Sequence, residues 1–271
     1  MNYLLLNPIN WTSVLTVLLI VGVLSIVFAI LILVVSKLCA VTEDEKVNAV
    51  VENLAGANCG GCGYAGCEGF AKALCQGNAE ISSCGPTSNE SKAKIAKILG
   101  IPFEASEEKF AIVHCAGGNN AVKKYNYIGN KTCSAQIVYQ GGAKLCPDGC
   151  VGLGSCVDVC PYDAISIKDG VSVVDKVLCE ACGLCVKNCS KKVIGFIPKS
   201  AKVFVACSTK CRGKDVMTSC KVGCIGCGLC AKNCPEQAIT MVDNLPVIDY
   251  KKCTGCKTCV LKCPRKTIKE I

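Results

Sequence analysis

The chain has 271 residues, of which 27 are cysteine and one is histidine, and its formal net charge is +9. So much cysteine indicates a special scaffold held by disulfides or by metal. The charge counts thiols as neutral, so metal-bound thiolates would offset it, and the lysines are scattered rather than grouped with aromatic residues. We therefore exclude a nucleic-acid partner.

Residues 14–35 form an apolar run long enough to cross a bilayer as one helix, within an N-terminal anchor at residues 1–36. Trp11 and Lys37 flank the run as interface anchors. A cleaved signal peptide is the alternative, but no Lys or Arg precedes the run and no clear cleavage site follows it. Because the nearby lysine follows the span, the positive-inside rule predicts the N-terminus outside and the remainder in the cytoplasm.

Residues 42–103 predict a small helical domain around four cysteines spaced C-x2-C-x4-C-x16-C. A capping box at Thr42 begins one helix, and a second at Thr87 begins another that ends near Gly100. The pattern suits one [4Fe–4S] cluster, with zinc as the alternative. The predicted ligands are Cys59, Cys62, Cys67 and Cys84. We interpret Cys75 as a core residue.

Residues 104–140 are read as a connecting segment with a short strand near residues 110–115. His114 lies on that apolar strand, where packing or a hydrogen bond is favoured over metal ligation. No glycine-rich nucleotide motif and no nucleophile–base arrangement is present, so we predict no catalytic residue in this chain.

Four groups of four cysteines follow, and three of them have the spacing C-x2-C-x2-C-x3-C of bacterial ferredoxins. This spacing favours reduced, cluster-bound thiolates over disulfides. The groups are Cys146, Cys150, Cys156, Cys160; Cys179, Cys182, Cys185, Cys189; Cys224, Cys227, Cys230, Cys234; and Cys253, Cys256, Cys259, Cys263.

Adding 74 to each number maps the first two groups onto the last two without a gap, except that Cys146 falls on Cys220. A fixed period indicates a duplicated unit. We predict two ferredoxin-like modules, at residues 141–198 and 199–271, in an α+β chain.

In ferredoxins the last cysteine of a run binds the neighbouring cluster. The predicted sets are Cys146, Cys150, Cys156 and Cys189; Cys160, Cys179, Cys182 and Cys185; Cys224, Cys227, Cys230 and Cys263; and Cys234, Cys253, Cys256 and Cys259. With the N-terminal site these make five [4Fe–4S] clusters.

The repeat leaves one ambiguity, because Cys220 corresponds to Cys146 whereas Cys227 corresponds to Leu153. We assign Cys227 as the ligand, since it completes the regular spacing. Under the same shift Cys133 corresponds to Cys207. The extra cysteines are either small core residues or, in the sharper alternative, Cys207, Cys211 and Cys220 hold a further metal.

The order of these features resembles the B subunit of the Rnf electron-transport complex over nearly the whole chain. The resemblance implies a membrane complex that passes electrons from reduced ferredoxin towards NAD and couples this to Na+ or H+ transport. The chain would be the cytoplasmic subunit that carries electrons through several clusters, docked to flavin- and NAD-handling partners. A soluble ferredoxin would bind it at lysines such as Lys187, Lys191 and Lys192. Two departures from the pattern are Ser190 after Cys189 and the C-x3-C-x5-C-x3-C first group.

A membrane-anchored redox sensor, or a reductant for a corrinoid protein, is the alternative function, because the C-x2-C-x4-C domain also resembles one in corrinoid iron–sulfur proteins. Several clusters in series favour the electron conduit, since a sensor needs only one.

Overall fold

The computed structural model describes residues 11–38 and 45–271, and the chain divides into two compact units, residues 1–45 and 46–271. In the first unit helix α1 runs over Trp11–Leu38. It is apolar on all sides and long enough to cross a membrane by length and composition. The apolar run at residues 14–35 therefore lies within one helix, as predicted.

The second unit begins with three helices around the four-cysteine domain: α2 (Glu45–Asn53), α3 (Gly66–Cys75) and α4 (Asn89–Leu99), with a 3-10 turn at Ile81–Ser83. Their shared core contains Val50, Phe70 and Ile95, and Cys75 packs partly buried against it, as expected. The predicted capping box at Thr42 lies outside the described residues.

The cap of α4 was predicted one residue too early. The Ser88 hydroxyl accepts the Ser91 N–H at 3.2 Å, while the hydroxyl of Thr87 accepts the Ala55 N–H at 3.2 Å. Thr87 therefore ties the end of α2 to this loop rather than capping a helix. At the other end Gly100 takes the left-handed conformation (φ 70°) and ends α4 where the sequence placed it.

The next part contains two antiparallel strand pairs and three short helices. Its elements are β1 (Lys109–Val113), α5 (Cys133–Val138), α6 (Ser155–Asp158), β2 (Ile165–Lys168), β3 (Val171–Val174), α7 (Leu184–Asn188) and β4 (Ile194–Pro198). Strand β1 pairs with β4, and β2 with β3. The segment read as a connection thus supplies an edge strand, and Pro198 ends β4.

The C-terminal part repeats this arrangement. Its elements are β5 (Val203–Val205), α8 (Gly213–Ser219), α9 (Leu229–Lys232), β6 (Ile239–Val242), β7 (Leu245–Ile248), α10 (Thr258–Lys262) and β8 (Ile268–Glu270). Strand β5 pairs with β8, and β6 with β7. The hairpin pairs Ile165–Val174 and Ile239–Ile248 occupy matching registers at the 74-residue shift.

Backbone contacts join the two halves between β1 and α8. The Ala116 N–H donates to Ala206 O at 2.9 Å, the Val122 N–H donates to Ser219 O at 2.9 Å, and Ala121 forms an antiparallel bridge with Cys220. His114 adds a hydrogen bond of 2.8 Å from Nδ1 to Val205 O. The histidine is therefore a structural link between the halves, as its position on an apolar strand predicted.

Candidate metal centres

Eight cysteines of the C-terminal half line two separate cavities. One is lined by Cys224, Cys227, Cys230 and Cys263, and the other by Cys234, Cys253, Cys256 and Cys259. The last cysteine of each run thus lies with the first three of the other. The Thr267 N–H points at Cys263 Sγ at 3.3 Å, the kind of contact that tunes a cluster's potential.

In the first half one cavity is lined by Cys160, Cys179, Cys182 and Cys185. The Ala111 N–H of β1 points at Cys179 Sγ at 3.4 Å, so the edge strand contributes to this site as well. Gly183 has φ 83° at the start of α7, a conformation in which glycine avoids the strain of a side chain. The equivalent position in the other half is Lys257, with φ 62°.

The remaining cysteines of the first half separate into two groups. Cys150 and Cys156 are buried beside the Ser172 hydroxyl, at 3.7 and 3.1 Å from their sulfur atoms. Burial raises the pKa of Cys156, and the neighbouring thiolates of Cys150 and Cys133 raise it further. Cys133, whose N–H donates to Ser155 Oγ at 2.9 Å, therefore lies beside this group.

Cys146 lies elsewhere, although the sequence grouped it with Cys150 and Cys156. It lines a cavity at the junction of the two halves. The other cysteines there are Cys115, Cys207 and Cys220. Cysteine spacing alone did not group Cys133 or Cys115 with these sites, because both precede the first ferredoxin-type run; the pairing of β1 with β4 positions Cys115, and α5 positions Cys133.

The four-cysteine domain lies directly on the Cys179–Cys185 loop. Cys84 is buried in its core with Cys62 and Cys67 against it, and the Cys67 N–H donates to Asn58 Oδ1 at 2.8 Å. At Gly61 an added Cβ would meet Cys182 O at 2.2 Å, and at Gly85 it would meet Ala181 O at 2.1 Å. Both glycines are therefore needed for this close approach.

Tyr162 lies between these two cysteine sites. Its hydroxyl is buried and, among the described residues, has no hydrogen-bond partner. Burial raises the pKa of Tyr162, and the thiolates of Cys59 and Cys182 raise it further. A buried donor without a partner is costly, so its position among thiols fits a bound group with acceptor sulfur atoms.

The electrostatics of the thiols also fit cluster binding. Burial raises the pKa of Cys185 to about 12 and those of Cys146 and Cys207 to about 11, because a thiolate loses its hydration there. Bare thiols would thus keep their protons at neutral pH. A coordinating metal removes those protons and supplies the compensating positive charge.

Two of the lysines predicted to meet a ferredoxin make internal hydrogen bonds. Lys187 Nζ donates to Gly61 O at 2.7 Å, and Lys191 Nζ donates to Pro147 O. Lys187 therefore fixes the four-cysteine domain to α7. Lys192 is exposed.

Three segments of the chain match families of iron–sulfur domains. Residues 54–86 match the FeS family, described as an Fe-S cluster, residues 147–166 match a 4Fe-4S binding domain, and residues 223–267 match a 4Fe-4S dicluster domain. Each match covers cysteines that line the sites described above.

Relatives are similar over most of the chain. The chain is 40% identical over 236 residues to the B subunit of the Na(+)-translocating ferredoxin:NAD(+) oxidoreductase complex of Acetobacterium woodii, covering 86% of this chain and 71% of that one. It is 38% identical over 226 residues to the B subunit of the ion-translocating oxidoreductase complex of Methanosarcina acetivorans (83% and 86%). The B subunit of the proton-translocating ferredoxin:NAD(+) oxidoreductase complex of Clostridium ljungdahlii is 38% identical over 244 residues (89% and 86%).

The chain belongs to the B-subunit family of ion-translocating oxidoreductase complexes. This confirms the Rnf resemblance. Together with the matches to [4Fe–4S] domains, the family shows that the chain is an iron–sulfur electron-transfer subunit rather than a disulfide scaffold. Helix α1 and the family together support a membrane association.

Proposed function

We propose that this chain is the multi-cluster electron conduit of a membrane-bound ferredoxin:NAD oxidoreductase. In this proposal electrons pass from reduced ferredoxin towards membrane and NAD-linked subunits, and their flow drives Na+ or H+ transport. The supporting observation is that one compact unit, residues 46–271, holds several cysteine-lined sites. Each bound cluster supplies a one-electron carrier.

Five sites follow from the cysteine motifs. Four of them keep the predicted ligands: Cys59, Cys62, Cys67, Cys84; Cys160, Cys179, Cys182, Cys185; Cys224, Cys227, Cys230, Cys263; and Cys234, Cys253, Cys256, Cys259. In the fifth we retain Cys150, Cys156 and Cys189, and we assign Cys133 instead of Cys146 as the fourth ligand.

The order of the sites follows from which cysteines are neighbours. Cys59 of the four-cysteine domain lies near Cys182, and Cys185 lies near Cys156. The protein's contribution is to hold these groups close, to exclude water from the buried thiols and to place donors such as the Ala111 N–H on their sulfur atoms. Helix α1 would anchor the conduit, with the cysteine sites on the cytoplasmic side.

The test is electron transfer through the assembled complex with a site in the middle of the series removed. We expect Cys185→Ser to abolish ferredoxin-dependent NAD+ reduction while the membrane complex still assembles. Cys75→Ser is the matched control, since Cys75 is a partly buried core cysteine that is not one of the proposed ligands, and it should retain activity. Full activity in Cys185→Ser, with its iron content reduced, would show that electrons do not pass along this chain.

A further inference from the structure

The cavity at the junction of the two halves is lined by four cysteines that the five proposed sites leave unused. They are Cys115, Cys146, Cys207 and Cys220. We propose that these four thiolates bind a sixth [4Fe–4S] cluster, which connects the two halves. The assignment depends on cysteine geometry and not on the proposed ferredoxin:NAD activity.

The four cysteines form two equivalent pairs. Cys146 and Cys220 are related by the 74-residue shift. Cys115 and Cys207 are equivalent through the sheets, because Val113 pairs with Ile194 just as Val205 pairs with Ile268, and each cysteine follows its strand by the same interval. The 74-residue shift alone relates Cys207 to Cys133 instead, so the strand pairing corrects that match.

Hydrogen bonds repeat the same equivalence. Cys115 Sγ accepts the Cys150 N–H at 3.3 Å, and Cys207 Sγ accepts the Cys224 N–H at 3.4 Å. Backbone N–H donors at thiolate sulfur are typical of cluster ligands. A duplicated pair of cysteines, with duplicated donors, meets at one cavity, as expected for ligands of a group that the two halves share.

Glycines keep the space around these sulfur atoms open. One point, the position of a Cβ on Gly117, lies 3.5 Å from both Cys115 Sγ and Cys220 Sγ. The corresponding points on Gly149 and Gly223 lie 3.5 and 3.7 Å from Cys146 Sγ and Cys220 Sγ. Thus the sulfur atoms from opposite halves face one small space.

The arrangement favours a cluster over a single ion. Throughout residues 11–38 and 45–271, no three His, Cys, Asp or Glu converge on one point, so the junction thiols are arranged like those of the ferredoxin-type sites and not like the ligands of one ion. In a [4Fe–4S] cluster each thiolate binds a different iron, so the sulfur atoms surround the group without meeting at one point. A zinc site instead needs all four sulfurs within about 2.3 Å of one ion.

The junction cavity also lies between the two ferredoxin-like halves. Cys115 neighbours Cys150 of one half, and Cys207 neighbours Cys224 of the other. A cluster here would make the series continuous from the four-cysteine domain to the C-terminal site. The six sites then use 24 of the 27 cysteines and leave Cys39, Cys75 and Cys211.

The experiment measures iron, acid-labile sulfide and zinc in the anaerobically purified full chain, and integrates the electron paramagnetic resonance of its fully reduced form. We expect about 24 irons and six spins per chain, against about 20 irons and five spins without the junction site. About 20 irons, or one zinc per chain, would overturn the proposal, and this measurement needs no variant to fold.

Substitutions then assign the ligands. Cys115→Ser and Cys220→Ser should each remove one spin, and the double variant should remove one spin rather than two, because both residues serve the same cluster. Cys211→Ser, in the same half but outside the cavity, is the control and should keep all six. If only Cys146→Ser loses a spin while Cys115→Ser and Cys220→Ser keep theirs, Cys146 serves the first-half site and the proposal is wrong.

Discussion

At the scale of single residues, one charge beside a proposed cluster site belongs to a buried lysine. Lys92 is 6% exposed, and the Cys84 thiolate raises its pKa against the larger, lowering effect of burial. Burying an ammonium group is costly unless a negative charge lies close by. Lys92 therefore compensates the negative charge of the four-cysteine site.

We expect Lys92→Met to lower the reduction potential of the N-terminal cluster, because a nearby positive charge favours the reduced, more negative state. The expected fall is of the order of 60 mV, equivalent to a tenfold change in the equilibrium of a one-electron couple. Redox titration followed by electron paramagnetic resonance measures it. Lys97→Met, an exposed change on the same helix, should leave the potential unaltered; equal shifts in both variants would contradict the assignment.

The sequence predicted which residues lie together where the information is local in the chain. Cysteine spacing indicated groups that line common cavities, such as Cys224, Cys227 and Cys230. Spacing did not group Cys133 or Cys115 with a site, because their positions depend on α5 and β1 and not on any nearby motif. The helix cap was misplaced at Thr87, because Thr87 with Glu90 matches the capping-box pattern, whereas Ser88 is the residue that accepts the capping hydrogen bond and Thr87 bonds Ala55 instead.

At the scale of elements, long-range strand pairing determines which cysteines meet at the junction. The spacing of cysteines along the sequence could not predict this. Strands β1 and β5 close sheets with β4 and β8, and each carries a cysteine just beyond its end to the junction. The hairpins, by contrast, are local, because only two residues separate β2 from β3 and β6 from β7. The four-cysteine domain was predicted as a unit, but its docking on the Cys179–Cys185 loop depends on contacts that no local pattern describes.

That docking gives a prediction. Gly85→Ala should destabilise the contact between the four-cysteine domain and the ferredoxin-like half by about 1–3 kcal/mol, because the new Cβ would overlap Ala181 O. Hydrogen exchange of α7 and the four-cysteine domain measures the loss of protection. Gly69→Ala is the matched control: its Cβ would meet Tyr64 at an ordinary 3.9 Å, so protection should be retained. Equal protection in both variants would contradict the tight contact.

At the scale of the whole molecule, bound clusters change the charge balance. The formal net charge is +9 with neutral thiols, and each oxidised four-thiolate site contributes roughly −2. With its clusters bound, the protein is thus far less basic than its sequence suggests. Each lysine then affects mainly the charged groups close to it. Cys256 is exposed near the exposed Lys251 and Lys252, whereas the sites of the first half contain more buried thiols.

The last prediction concerns where an acidic ferredoxin docks. Since Lys187 and Lys191 are held by internal hydrogen bonds, we place the docking face at Lys251 and Lys252, beside the exposed Cys256. The double variant Lys251→Glu/Lys252→Glu should lower the rate of cluster reduction by ferredoxin on the order of tenfold at low salt. Stopped-flow absorbance measures this rate.

The salt dependence of the rate distinguishes electrostatic steering of ferredoxin from a local structural defect caused by the substitutions. The wild-type rate should fall as salt rises, because exposed charges are screened over about 8 Å at physiological ionic strength, and the variant should show a weaker dependence. The matched control Lys97→Glu/Lys123→Glu changes the net charge equally at exposed positions away from Cys256 and should reduce the rate far less. A wild-type rate independent of salt, or equal losses in both double variants, would rule out docking at this face and leave ferredoxin to approach the conduit elsewhere.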